Sequence, residues 1–165
     1  MDPALPRNDN HNSMNAKGGY AMSDIYLVGY DGSDAANRAL DFAISNSKNS
    51  GAPIILTHVL EWSPYKFLTP MELEERHKRR REELQRADEV IIQPVLTRLK
   101  EAGIEASAVV RYGHIAELIA AIAEETHASQ IFIGRDGENG LSARVFGSVA
   151  GTLVQIAPVP CTIVP

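Results

Sequence analysis

Gln130-Ile131-Phe132-Ile133-Gly134-Arg135-Asp136-Gly137, followed after nine residues by Gly147-Ser148-Val149-Ala150, is the stretch whose reading decides the fold. The apolar run Ile131 to Ile133 is too short for a helix and closes on a glycine, as a buried strand does. A glycine-rich loop follows, and Ser148 to Ile156 then spaces its apolar residues for a helix. Strand, glycine loop and helix in that order bring backbone N–H groups to a helix N-terminus with no Cβ in the way. An anion such as phosphate is readily held there. The same glycines also suit a plain surface loop, and serine at a helix start is a favoured cap.

Upstream, Ile25-Tyr26-Leu27-Val28 is a short run ending at Gly29, and Ser33 to Ser47 places Ala36, Ala39, Leu40, Ala43 and Ile44 on one helical face. Pro53 to Val59 is a second strand, apolar enough to be buried on both sides. Glu61 to Pro70 carries Trp62, Pro64, Tyr65 and Phe67 without any period, and is expected to be a functional loop that orders on ligand binding. From Met71 to Ala102 the residues Leu84, Ala87, Ile91, Val95 and Leu99 mark one helix face. Pro94 interrupts it and predicts a kink or two consecutive helices. Gly103 stops that segment, Ile104 to Val110 is the third strand, Ile115 to about His127 is a helix, and Val159 to Val164 is the last strand. The alternation gives an α/β fold: a five-stranded parallel doubly wound sheet with helices on both faces. Ligands of such sheets bind beyond the carboxyl ends of the strands, here after Val28, Val59, Val110 and Ile133.

Composition excludes several functions. The 165 residues carry 16 basic and 21 acidic side chains, net −5, which is not the footprint of a general nucleic-acid binder. No apolar run approaches the roughly 18 residues a membrane span needs. Residues 1–22 lack apolar periodicity and are expected to be a disordered leader or tag ahead of a domain at 23–165. They also lack the apolar stretch of a secretory signal, so a cytoplasmic location is expected. The single Cys161, among Val159, Thr162, Ile163 and Val164, reads as core packing. The five histidines show no zinc spacing; His58 reads as a strand residue and His114 as the first turn of a helix. The run Arg76 to Arg81 reads as a solvated helix face paired with neighbouring glutamates.

Taken together, Gly134-x2-Gly137-x9-Gly147-Ser148 between a strand and a helix resembles the nucleotide-binding signature of universal stress proteins. Val28-Gly29-Tyr30-Asp31-Gly32-Ser33 is similar to that family's opening motif, and Pro158 to Val164 to its closing strand. His58-Val59 and Gly113 with Ile119 fit as well, so the resemblance spans Asp24 to Pro165. It implies a Rossmann-like fold of the adenine nucleotide alpha hydrolase kind, holding ATP or AMP. Gly134, Gly137, Gly147, Ser148 and Val149 would cradle phosphates and ribose, and Asp31 would meet the ribose or a Mg2+ bound with the nucleotide. Gly29, Tyr30 and the Val59 backbone would lie beside the adenine, with Ile133 near ribose and base. The Tyr30 ring, where the family usually has a small residue, is expected to shape the base pocket. Arg135 and Arg144, inside the glycine loop, are candidates for phosphate contact. The family also implies a homodimer through the last strand. No phosphate-loop lysine is present, so the expected role is a nucleotide-dependent stress-response module with no catalytic residue and an unidentified protein partner. The alternative is a slow ATP-hydrolysing or adenylyl-transfer enzyme of the same fold.

Overall fold

A computed structural model describes residues 24–61, 70–136 and 147–165. The leader and the aromatic loop residues Trp62, Tyr65 and Phe67 lie outside that range. Five strands, β1 (Tyr26–Gly29), β2 (Ile54–Glu61), β3 (Ala106–Gly113), β4 (Gln130–Gly134) and β5 (Cys161–Val164), make one sheet in the order β3-β2-β1-β4-β5. Every pairing is parallel. The chain steps outward from β1 to β3, then returns to the far side of β1 for β4 and β5. The connections that follow β1 and β4 therefore leave in opposite directions. A crevice opens between the carboxyl ends of these two strands, the switch point of a doubly wound sheet.

Pleating sends alternate residues of the central strands to opposite faces. Tyr26, Val28 and Phe132 pack under α1 (Asp34–Ser50) and α3 (Gln93–Glu101), while Leu27, Ile131 and Ile133 pack under α4 (Ile115–Glu125) and α5 (Ser148–Ile156). Leu27, Val28, Ile131 and Phe132 are fully buried, whereas in β2, where the sequence predicts burial on both sides, Ile54 and Leu56 are fully buried and Ile55 and Val59 only half-buried. Tyr26 and Phe132 meet edge to face at 5.1 Å between ring centroids. Helix α1 starts as its sequence dictates: the Ser33 hydroxyl accepts the Ala36 N–H at 3.1 Å. It stops at Gly51, whose φ of 78° needs a residue without Cβ and whose N–H reaches the Ser47 carbonyl at 2.7 Å.

Around Pro94 the chain forms two α-helices in succession, one of the two outcomes expected, joined by a turn of different width. α2 (Pro70–Ala87) runs into a π-helical turn, Asp88–Ile92, and on into α3, with the Gln93 N–H bonded to the Asp88 carbonyl five residues back. The wide turn immediately precedes the proline, which falls in the first turn of α3, where a missing N–H is tolerated. It also sets which side chain goes inside. Ala87 and Ile92, five residues apart, are both buried, so Ile92 takes the deep position and Ile91 is only partly covered.

Candidate functional site

At the end of β1 the chain is tied down group by group. Gly29 faces α4, where an added Cβ would stand 3.2 Å from Ile119 Cδ1 and 3.7 Å from Ile133 Cδ1. Tyr30 does not present its ring to the crevice. The ring is buried in the α1-side core, and its hydroxyl donates to Asn37 Oδ1 at 2.8 Å. Burial also pushes that hydroxyl's pKa up. The Tyr30 N–H donates to the Thr57 carbonyl at 2.9 Å, and the Tyr30 carbonyl lies 2.7 Å from His58 Nδ1. The expectation that this ring shapes a base pocket is therefore corrected: Tyr30, just past the end of β1, continues the side of Tyr26 and Val28 toward the α1 face, where Asn37 takes its hydroxyl.

Asp31 comes next, half-buried at the mouth of the crevice. One carboxylate oxygen accepts the Ser33 N–H at 2.9 Å, closing a local turn through Gly32, whose φ is 85°. Because the Ser33 hydroxyl caps the helix, the second Asp31 oxygen is not drawn into the cap. Asp31 and Asp34 together make the start of α1 an acidic helix end.

The start of α5 is different. Its N-cap is Gly147, which has no side chain to offer, and no side chain caps it. Ser148 is the first helical residue rather than the cap, and it is exposed. The first intrahelical bond runs from the Gly151 N–H to the Gly147 carbonyl at 2.9 Å. The N–H groups of Ser148, Val149 and Ala150 lie ahead of it, at the positive end of the helix dipole. Two bonds lock this end to the sheet: the Gly147 N–H donates to the Arg135 carbonyl at 3.0 Å, and the Arg135 N–H to the Val164 carbonyl at 2.7 Å. The Arg135 guanidinium pairs with Asp136 at 3.5 Å, and among the described residues its buried Nε makes no hydrogen bond.

Gly134 is explained by packing: a Cβ would come within 2.7 Å of the Ala35 carbonyl carbon, so α1 crosses β4 at backbone contact. Ile133 is a core residue of the α4 and α5 layer, and Val149 packs against the same cluster. Val59 stands two residues beyond Thr57, the last β2 partner of β1, and is half-buried. Gly137 and Arg144 lie outside the described residues. Asn37 and Thr57, which help hold the β1 turn, escaped the sequence reading, as did the bond of His58 to Tyr30. Only the position of His58 at the carboxyl end of a strand pointed to it. Among the described residues Thr57 Oγ1 and His58 Nε2 are buried without hydrogen-bond partners.

Among the described residues no group of three or more His, Cys, Asp or Glu side chains is gathered to hold a metal. A Mg2+ at Asp31 would take its remaining ligands from phosphate and water. Arg135 and the uncapped α5 start fit an anionic group, and the acidic α1 start fits hydroxyls or a cation. Cys161 is half-buried in the edge strand, where burial pushes its thiol pKa up. His114 is the N-cap of α4 rather than its first turn, and makes no side-chain cap bond. Among the described residues no helix is long and apolar enough to cross a membrane.

Comparison with known proteins agrees with this architecture. The profile of the Universal stress protein family matches residues 22–165. Universal stress protein YxiE of Bacillus subtilis (strain 168) is 29% identical over 156 residues, 87% of this chain and 99% of that protein. Hypothetical protein MJ0577 superposes with a TM-score of 0.73 at 22% identity, over 87% of this chain and 96% of that one. The universal stress protein of Archaeoglobus fulgidus in complex with dAMP gives a TM-score of 0.58 at 21% identity, over 86% and 98%. With a parallel sheet ordered β3-β2-β1-β4-β5 and a family profile matched along almost its whole length, the chain belongs to the universal stress protein family.

Proposed function

We propose that the chain binds an adenine nucleotide, AMP or ATP, in the crevice between the ends of β1 and β4, and works as a nucleotide-dependent regulatory module. The observation that carries this reading is the uncapped N-terminus of α5, tied through the Gly147 N–H to the carbonyl of Arg135, whose guanidinium stands beside it. A helix end with open N–H groups and a guanidinium held only by a long 3.5 Å pair with Asp136 together favour a phosphate. The acidic α1 start on the opposite wall disfavours it, which orients the ligand. The phosphates sit on α5 and Arg135, the ribose hydroxyls or a phosphate-bound Mg2+ meet Asp31, and the base lies across the end of β1 toward Val59. Gly137 and Arg144 complete the phosphate loop in this reading. The dAMP held by the Archaeoglobus fulgidus relative supports the ligand class.

The protein acts in the cytoplasm as a homodimer and passes its nucleotide state to a protein partner. Support for the dimer comes from β5, an edge strand paired only with β4, and from the exposed apolar side chains of Val154 and Ile156 on the adjoining α5.

Denaturing extraction of the purified protein with mass analysis, then calorimetric titration of stripped protein with AMP, ADP and ATP with and without Mg2+, tests the reading. Co-purified adenine nucleotide, micromolar affinity and negligible turnover are expected. Steady product release would establish the slow hydrolase instead, and no binding to any of the three would overturn the nucleotide reading.

A further inference from the structure

The β1–β2 ladder stops one rung early, and a side chain is the reason. Odd-numbered residues of β2 turn their backbone groups toward β1: the Thr57 carbonyl accepts the Tyr30 N–H at 2.9 Å. Even-numbered ones turn toward β3, as in the Ile54 N–H to Glu105 carbonyl bond at 2.9 Å. In a parallel ladder the next rung would run from the Val59 N–H to the Tyr30 carbonyl. That rung is not made: β1 pairs with β2 only as far as Gly29 with Thr57, and β2 continues to Glu61 on its β3 side alone. The Tyr30 carbonyl is instead met at 2.7 Å by His58 Nδ1. A carbonyl only accepts, so Nδ1 carries the proton, and the ring is 6% exposed. Among the described residues the Val59 N–H has no acceptor, and the alternation turns it to the β1 side, beyond the last paired residue of β1.

We propose that His58 is a positioning residue: by donating Nδ1–H to the Tyr30 carbonyl it keeps the Val59 N–H unpaired, as a donor for a hydrogen-bond acceptor on the ligand's base. The same bond holds the Tyr30-Asp31 turn in place, with the Tyr30 hydroxyl on Asn37 as its second anchor. A ring nitrogen of adenine is an acceptor of this kind. The assignment of the ligand rests on the nucleotide reading above; the role of His58 in ending the ladder does not.

Two readouts separate them. In ligand-free protein, amide hydrogen exchange at Val59 is fast in the wild type. It slows at least about tenfold in His58→Leu, where the Tyr30 carbonyl is released to receive the Val59 N–H. In calorimetry, His58→Leu weakens AMP binding about tenfold, the value of one hydrogen bond. His58→Asn restores both readouts, because its amide N–H stands near the place of Nδ1, whereas His58→Gln, which reaches to the place of Nε2, restores neither. Val59 exchange that is equal in wild type and His58→Leu overturns the proposal, as does His58→Leu binding AMP as tightly as a wild type that binds it. If the wild type binds no AMP and Val59 exchange still slows in His58→Leu, the nucleotide reading falls and the ladder role of His58 stands.

Discussion

Tyr30 and Tyr112 illustrate how one residue type acquires different chemistry from its surroundings. Tyr30 is consumed by the fold through its hydroxyl, its N–H and its carbonyl. Tyr112, at the end of β3, donates its hydroxyl to Glu83 of α2, with the Arg80 guanidinium 5.5 Å from its ring centroid. Burial first, and Glu83 second, push the Tyr112 hydroxyl up to about 12. The native state thus keeps a proton that the unfolded chain releases near pH 10, so stability falls as pH rises through that window. Denaturant unfolding between pH 9 and 12 is expected to show Tyr112→Phe losing less stability than the wild type over the upper two pH units. At this scale the sequence exposed Asp31, Gly147 and Ser148 as candidates, because their places beside a strand end or a helix start follow from local pattern. It could not expose the roles of Asn37 and His58, which depend on which face of β1 or β2 meets which helix.

Among the elements, α1 and β4 meet at backbone contact, and Gly134 permits it. In Gly134→Ala the new methyl would lie 2.7 Å from the Ala35 carbonyl carbon and 2.9 Å from its oxygen. Backbone atoms cannot rotate away as a side-chain end can, so α1 must shift. A loss of about 1–3 kcal/mol is expected in chemical denaturation, and an unchanged midpoint would show that α1 moves freely. The role of Gly134 is thus met by packing before any ligand is considered. The long helix was legible as an element but not in its register. Leu84, Ala87, Val95 and Leu99 keep the face that their spacing predicts, whereas the π turn before Pro94 exchanges Ile92 for Ile91 inside. A hydrophobic period of 3.6 has no means of announcing a single turn of a different width.

The whole molecule leaves two sheet edges, at β3 and β5. Next to β5, Val154 is 60% exposed and Ile156 41%. The proposed dimer covers this side. Multi-angle light scattering is expected to give twice the chain mass for the wild type and the single-chain mass for Val154→Glu combined with Ile163→Lys, with far-UV circular dichroism unchanged. A dimer that survives both charges would lie on another surface. Truncation is a poorer probe, because the Val164 carbonyl anchors the Arg135 N–H and the Pro165 carbonyl accepts from Arg38 Nε at 2.7 Å.

The sequence by itself determined the α/β class, the five parallel strands and most helix limits. Each of these is written in local spacing: runs of apolar residues, glycines at chain reversals, and caps at helix starts. Tertiary structure alone decided that the Tyr30 ring goes inward, that Gly134 answers to Ala35, and that a histidine ends the β1–β2 ladder before Val59. Those outcomes depend on pairs 28 residues apart, as in His58 and Tyr30, or about a hundred, as in Ala35 and Gly134. Such pairs meet only once the sheet order and the face of each strand are set, and no local pattern encodes them.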